Sequence, residues 1–328
     1  MRTLIVGLGS IGMRHLANLK RIDPTGFVVA WRLHSQAQSP FAVDRTVYNL
    51  EDALDANPDV ALITSPATQH VEIGLALARR GVHLFIEKPL SNTLDGVDEL
   101  LSICREKNLV LMVGYNFRFY PPLQALREAL RHGRIGRPLA LRAEAGQYLP
   151  DWRPGRDYRQ SVSARRDLGG GAVLELSHEL DYVRWLMGEV TTVSAQIGHL
   201  SDLEIDVEDT AEIILQFESG AIGSVHLDMV QRPAIRTCRI VGTEGTLTWD
   251  GMTHHVRLFS AATQTWADVH PAREIPRDEM YMAELRHFLD CVTRQQTPVV
   301  AGEDGKRVLE IALAVKRASE EKRAIEFR

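Results

Sequence analysis

Apolar and polar positions fall into two regimes along the chain. Up to about residue 114, short uninterrupted apolar runs alternate with longer mixed stretches of helical character: Thr3-Leu4-Ile5-Val6, Phe27 to Trp31, Asp59 to Thr64, Val82 to Ile86 and Leu109 to Gly114. The intervening helices are predicted to about Arg21, from about Thr68 to Arg80 and from about Thr93 to Lys107. Unbroken apolar strands separated by helices and short turns predict a right-handed parallel sheet covered on both faces. Beyond about residue 120 the pattern changes. Pro121-Pro122 opens a helix to about His132, and Pro138 to Ala145 reads as a strand. Apolar, β-branched runs follow at Thr191 to Ile197, Thr210 to Phe217, Ala221 to Met229, Arg236 to Val241, Thr246 to Trp249 and His255 to Phe259. Glu218-Ser219-Gly220 and Gly242 to Gly245 carry hairpin-turn chemistry, so these strands predict a largely antiparallel second sheet. Two helices close the chain, one with Tyr281, Leu285, Phe288 and Val292 at helical spacing, one from about Asp304 to Glu321. The expected division is 1–119 and 120–328.

The first apolar run leads directly into Gly7-Leu8-Gly9-Ser10-Ile11-Gly12 and then into a helix. In this strand-turn-helix setting Gly7 suits a turn with unusual backbone angles, Gly9 admits a pyrophosphate close to the main chain, and Gly12 lets helix and strand lie together. The helix start offers unpaired N–H groups and a positive dipole end to phosphate. The first domain is therefore expected to be a Rossmann doubly wound sheet, the second an open-faced α+β domain. Ligands on such sheets sit beyond the carboxyl ends of the strands. The residues placed there are Gly7, Gly9, Ser10, Ile11 and Gly12, then Arg32, Ser65-Pro66 with His70 in the next helix, Glu87-Lys88-Pro89, and Tyr115-Asn116. An acid normally meets the 2′-hydroxyl of NAD at the end of the second strand. Here Arg32 stands there with His34 and Ser35 beside it, so the cofactor is expected to be NADP or NAD, with NADP slightly favoured.

Composition narrows the partners. In 328 residues the net charge is −5, which leaves no basic excess for nucleic acid or an anionic membrane. Cys104, Cys238 and Cys291 are odd in number and far apart, as reduced thiols are. The first strand begins at residue 3, leaving no room for a signal peptide, and no apolar run has membrane-spanning length. The expected location is the cytoplasm.

A second constellation follows Gly169-Gly170-Gly171. Treated as one helix, the stretch from Ala172 buries Val173, Leu176, Leu180, Val183 and Met187, and brings Glu175, His178 and Tyr182 onto another face as an acid, a base and a phenol. A histidine held by a carboxylate can move protons near neutrality. Asp181 either orients a neighbour or pairs with an arginine. Before this helix, Asp151 to Arg166 holds five arginines and two aspartates, a local excess of +3 within a protein of −5. Such forks grip phosphate or carboxylate, Arg153 and Arg165 among them, while Tyr148, Trp152 and Tyr158 could stack on a sugar or base. The alternative is a solvated loop whose charges pair locally. Asn116 and Arg118 add polar contacts from another wall. Asp202, Glu204, Asp206, Glu208 and Asp209 lack the spacing of a calcium loop and read as a solvated strand edge, and His254-His255 would point to opposite faces of a strand. No metal site is expected.

The Gly-rich turn, Glu87-Lys88-Pro89 at a strand end, and a glycine triplet leading into a helix with acid, histidine and aspartate resemble the glucose-fructose oxidoreductase, inositol dehydrogenase and rhizopine catabolism (Gfo/Idh/MocA) family over essentially the whole chain. The resemblance implies that Lys88 lies between nicotinamide and substrate and that His178 exchanges a proton with the hydroxyl being oxidised, at a cleft between domains. The family usually places Asp four residues before the histidine, whereas Glu175 stands three before His178. The implied activity is NAD(P)-dependent hydride transfer to or from a secondary hydroxyl or ketone of a sugar or cyclic polyol, and the arginine cluster adds the expectation that this substrate bears phosphate, nucleotide or carboxylate. The resemblance also implies a homodimer or homotetramer through the open face of the second sheet. Two rivals use the same scaffold: an NAD(P)-binding sensor, and a glycosidase with tightly held NAD.

Overall fold

The computed structural model describes residues 1–32 and 43–327; His34 and Ser35 lie outside the described residues. The first part of the chain runs β1 (Arg2–Val6), α1 (Ser10–Ile22), β2 (Phe27–Trp31), β3 (Arg45–Val47), α2 (Leu50–Asp55), β4 (Val60–Ile63), α3 (His70–Arg79), β5 (His83–Glu87), α4 (Val97–Glu106) and β6 (Leu111–Gly114). The six strands form one sheet in the order β3-β2-β1-β4-β5-β6, and every pair is parallel. Leu4, Ile5, Val28, Val29, Leu62, Ile63, Leu84 and Phe85 are 0% exposed, which is why these strands are apolar at successive positions rather than at alternate ones. Strand order reverses between β1 and β4, and that reversal opens the crevice in which doubly wound sheets bind ligands. β3 and α2 carry too little apolar periodicity to be read from sequence; α2 is instead marked by its cap, Asn49, whose side chain accepts from Asp52 N at 2.8 Å.

The chain continues through α5 (Pro121–Arg131), β7 (Pro138–Gly146), α6 (Ala172–Glu175), α7 (His178–Met187), β8 (Val190–Gly198), β9 (Thr210–Phe217), β10 (Ile222–Asp228), β11 (Ile235–Gly242), β12 (Gly245–Asp250), β13 (His255–Ser260), β14 (Thr265–His270), α8 (Asp278–Arg294), α9 (Gly302–Glu321) and β15 (Ile325–Glu326). The second sheet has nine strands in the order β14-β13-β12-β11-β7-β10-β9-β8-β15, antiparallel except where β7 meets β10. One face carries the helices. On β9, Ala211, Ile213 and Leu215 are 0% exposed while the intervening Ile214 is 50% exposed, the alternation of a sheet with one covered side.

Two compact units result: 1–116 with 277–309, and 117–276 with 310–328. The sequence division at 119 therefore misses a return of the chain. Residues 277–309 belong to the first unit, where α8 packs on α1, Val113 N donates to Val300 O at 3.0 Å, and Met112 bridges to Ala301. This covers the exposed edge of β6. An amphipathic helix shows its apolar face in sequence but not the surface it will meet, so periodicity assigned these helices to the nearer neighbour.

Two smaller expectations are also corrected. Asp202 to Asp209 lies in a loop, not a strand edge; Asp209 is 0% exposed and accepts from Leu200 N, Ser201 N and Ser201 Oγ at 3.0, 3.0 and 2.6 Å. His254 sits in a turn at φ +60° against the Tyr120 hydroxyl, ahead of the strand that His255 begins. Among the described residues no helix is long and apolar enough to cross a membrane.

Candidate active site

In the first unit the glycine turn follows β1 as its sequence requires. Gly7 adopts φ +86°, and a side chain there would meet the Ser65 backbone at 3.2 Å. A side chain at Gly12 would collide with the Gly7 carbonyl oxygen, so α1 can approach β1 this closely only through glycine. Gly9 is different: nothing lies within 4 Å of where its Cβ would be, so the space beside it is open. No side chain caps the N-terminus of α1, and no acid occupies its first turn. Open space beside uncapped helix N–H groups fits a dinucleotide pyrophosphate, which would be held by Gly9, Ser10, Ile11 and Gly12. Thr64 Oγ1, at the end of β4, lies 2.6 Å from Gly7 O and 2.9 Å from Val6 O and fixes the turn from the next strand. Arg32 follows the last residue of β2, its amide donating to Val47 O at 3.0 Å.

Glu87 ends β5, and Lys88 and Pro89 follow it on the same edge. Glu87 is 8% exposed and is joined at 2.6 Å to Nε2 of His15, itself 0% exposed on α1. Lys88 N donates to Glu87 Oε2 at 3.2 Å. The acid thus anchors the turn and leaves Lys88 half-buried at its tip. His70 has a structural position: Nδ1 lies 3.0 Å from Pro89 O and Nε2 2.8 Å from Ser65 O, so it ties the turns after β4 and β5 together. Burial pushes its pKa below the ordinary histidine value. Ser65 Oγ and Asn116 Oδ1 are buried without a hydrogen-bond partner among the described residues, at the carboxyl ends of β4 and β6. Buried polar atoms are normally satisfied, so both are suited to a bound molecule.

In the second unit the expected continuous helix is broken. α6 ends at Glu175, Leu176 and Ser177 turn, and His178 begins α7. Glu175 accepts from Ser163 Oγ at 2.8 Å. Tyr182 does not share an open face with His178 and Glu175: it is 0% exposed, packed edge-on against Trp249 at 5.6 Å, and burial raises its pKa well above the usual value. Asp181 and Arg118 are likewise internal, at 0% and 5% exposure. Arg118 Nε lies 3.1 Å from each Asp181 oxygen, and a terminal guanidinium nitrogen lies 2.7 Å from Oδ1. Asp181 thus takes the second of its two readings, the pair with an arginine, and Arg118 and Tyr182, expected to contact substrate, lie in the core: Arg118 because a charge stays buried only when paired, Tyr182 because its ring packs on Trp249. Glu179, also 0% exposed, pairs with Arg236 at 2.9 Å. α7 is thus fixed by two ion pairs, and half-buried His178 lies at its start with its ring 4.9 Å from that of Phe117.

The arginine-rich loop separates into two sets. Arg159 engages Asp157 at 2.8 and 3.0 Å and Glu204 at 2.6 Å; Arg165 engages Asp167 at 2.9 and 2.5 Å; Arg166 reaches the Asp206 carbonyl at 2.7 Å. Arg165, expected to grip substrate, is occupied locally by an acid two residues away. Tyr148 stacks under Arg232, whose guanidinium carbon is 3.3 Å from the ring centroid. Trp152, Arg153 and Tyr158, in contrast, line a cavity of about 350 Å³ with Arg156.

Residues 1–115 match the oxidoreductase family with an NAD-binding Rossmann fold, and residues 123–248 match the GFO/IDH/MocA C-terminal domain. The chain is 31% identical to myo-inositol 2-dehydrogenase of Thermotoga maritima, an alignment that covers 100% of this chain and 98% of that protein. The chain belongs to the GFO/IDH/MocA oxidoreductase family. UDP-N-acetylglucosamine 3-dehydrogenase of Acidithiobacillus ferrooxidans is 25% identical over 98% of this chain and 97% of its own. Levoglucosan dehydrogenase in complex with NADH shares the fold, with a TM-score of 0.89 at 22% identity over 100% of this chain and 99% of that one.

Three further residues, not singled out in the sequence, hold candidate groups within their own units of this GFO/IDH/MocA protein. His15 lies on α1 just after the glycine turn and carries the 2.6 Å contact to Glu87. Phe117 lies against His178, and Arg236 places its guanidinium carbon 4.8 Å from the Phe117 ring centroid. Only His15 had a local signal, a titratable group one helical turn beyond Gly12. Phe117 and Arg236 are brought to α7 by tertiary packing, which periodicity does not report.

Proposed function

We propose that this GFO/IDH/MocA oxidoreductase is an NAD(P)-dependent dehydrogenase or reductase acting on a secondary hydroxyl or ketone of a sugar, one that bears a carboxylate, phosphate or nucleotide. The observation that carries the reading is His178, half-buried at the start of a helix held by the Arg118–Asp181 and Arg236–Glu179 pairs, in a chain that also keeps Lys88 at the tip of an anchored strand-end turn. Two of the relatives are named for an inositol and for a nucleotide sugar, which supports a polyhydroxylated ring as substrate.

The bound nicotinamide dinucleotide supplies the hydride acceptor or donor. Oxidation of a carbinol also releases a proton from its hydroxyl oxygen and develops negative charge there. His178 takes that proton, and the Lys88 ammonium stabilises the alkoxide character. Glu175, three residues before His178 and hydrogen-bonded to Ser163, positions the turn that presents the base. In the reverse direction His178 returns the proton to the carbonyl oxygen. Arg32 stands where an acid would select NAD, so the enzyme accepts NADPH and prefers it slightly. Competitive fluorescence titration with NADH and NADPH tests that preference. Equal affinity for both would remove Arg32 as a selector. Formation of reduced nicotinamide from a panel of uronates, sugar phosphates and neutral sugars tests the reaction, and turnover of neutral polyols alone would overturn the anionic substrate.

A further inference from the structure

We infer that the cavity formed by residues 149–163 is the anion subsite, in which Arg153 and Arg156 grip the carboxylate or phosphate of a sugar whose ring lies against Trp152 and Tyr158. Of the five arginines from 151 to 166, Arg159, Arg165 and Arg166 are occupied by Asp157 and Glu204, by Asp167, and by Asp206. No ion pair or hydrogen bond among the described residues engages the guanidinium of Arg153 or Arg156, and both line the cavity. Two unneutralised forks within one concavity make a strong site for a planar or tetrahedral oxyanion.

The rest of the wall fits the remainder of a sugar. Trp152 Nε1 donates to Gln147 O at 2.9 Å, and the Tyr158 hydroxyl accepts from Glu204 N at 3.2 Å, so each ring is held by its polar edge. Their apolar surfaces suit the C–H face of a pyranose. Ser161 Oγ, also in the lining, is buried with no hydrogen-bond partner among the described residues. The one carboxylate in the lining, Asp157, has both oxygens on Arg159, which offsets its repulsion of an anion. A cavity of about 350 Å³ is of the size that holds one small ligand. It adjoins the end of α6, two residues ahead of the helix that His178 begins, because Ser163 belongs to the lining and donates to Glu175 at 2.8 Å. The inference deepens the dehydrogenase reading and rests on it only for the chemical step, since binding of the oxyanion stands on the cavity alone.

The test is therefore a binding measurement. Calorimetric titration of the full-length protein, saturated with NADH, uses D-glucuronate and D-glucose 6-phosphate as probes and D-glucose as the uncharged control. The expected result is that at least one oxyanion probe binds more tightly than glucose, and that Arg153→Gln and Arg156→Gln each weaken it about tenfold to a hundredfold while glucose binding is unchanged. Arg134→Gln, an equal loss of charge outside the cavity, leaves the oxyanion affinity intact. The inference is overturned if neither probe binds better than glucose, or if Arg134→Gln weakens binding as much as the cavity variants do. Oxyanion binding without turnover would instead count against the dehydrogenase reading and leave the subsite standing.

Discussion

Arg118 and Asp181 show how a residue's chemistry in sequence differs from its place in the molecule. Both carry charge near candidate catalytic groups, and both are buried in a two-pronged pair. Removing one partner leaves the other as an uncompensated internal charge, so Arg118→Met should lower the unfolding free energy by about 3–5 kcal/mol in a urea titration, with Arg118→Met/Asp181→Leu recovering part of the loss. His226 is a contrasting case on the open face of the second sheet. It contacts Glu212 at 2.7 Å and Asp228 at 2.9 Å, and the Asp228 hydrogen bond, aided by Glu212, raises its pKa from 6.5 to about 9. A pKa raised on folding means stabilisation that is complete below 6.5 and lost as the pH climbs through about 9. His226→Gln should therefore depress Tm most in mild acid, and the deficit should narrow toward alkaline pH; a constant deficit would show that the ion pairs contribute nothing.

Elements were legible where a single periodicity governed them. The parallel strands and the glycine turn could be read directly, because burial on both faces demands unbroken apolar runs and close approach demands glycine at Gly12. The region from Gly171 to Met187 was not, because its apolar residues suit one long helix while the chain turns at Leu176 and Ser177 to seat Glu179 and Asp181 on their arginines. The glycine turn yields a paired prediction. Gly9→Ala enters open space, so Tm should be unchanged while NADH affinity falls at least about tenfold, by the loss of about 1.4 kcal/mol. Gly12→Ala collides with the Gly7 carbonyl and should lower both Tm and NADH affinity. Thermal melts with and without NADH separate the two effects; equal Tm losses would show that Gly9 is a packing residue.

At the scale of the whole molecule, sequence supplied two sheets and their order of appearance, but not the return of residues 277–309 to the first. That return covers β6, so a fragment of residues 1–119 should expose apolar surface and bind a hydrophobic dye, while fusing 277–309 to it should restore cooperative unfolding. Fragment 1–119 unfolding cooperatively alone would show that the covering is dispensable. Membership of the GFO/IDH/MocA family fixes the class of chemistry, and the chain's own residues carry the account of how it is done. The most direct test compares Lys88→Met and His178→Asn with the wild type, using the sugar of the uronate, phosphate and neutral panel that the wild type oxidises fastest. Formation of reduced nicotinamide should fall about 10²- to 10⁴-fold in each variant while NADH binding is unchanged. Wild-type turnover in either variant would contradict the account.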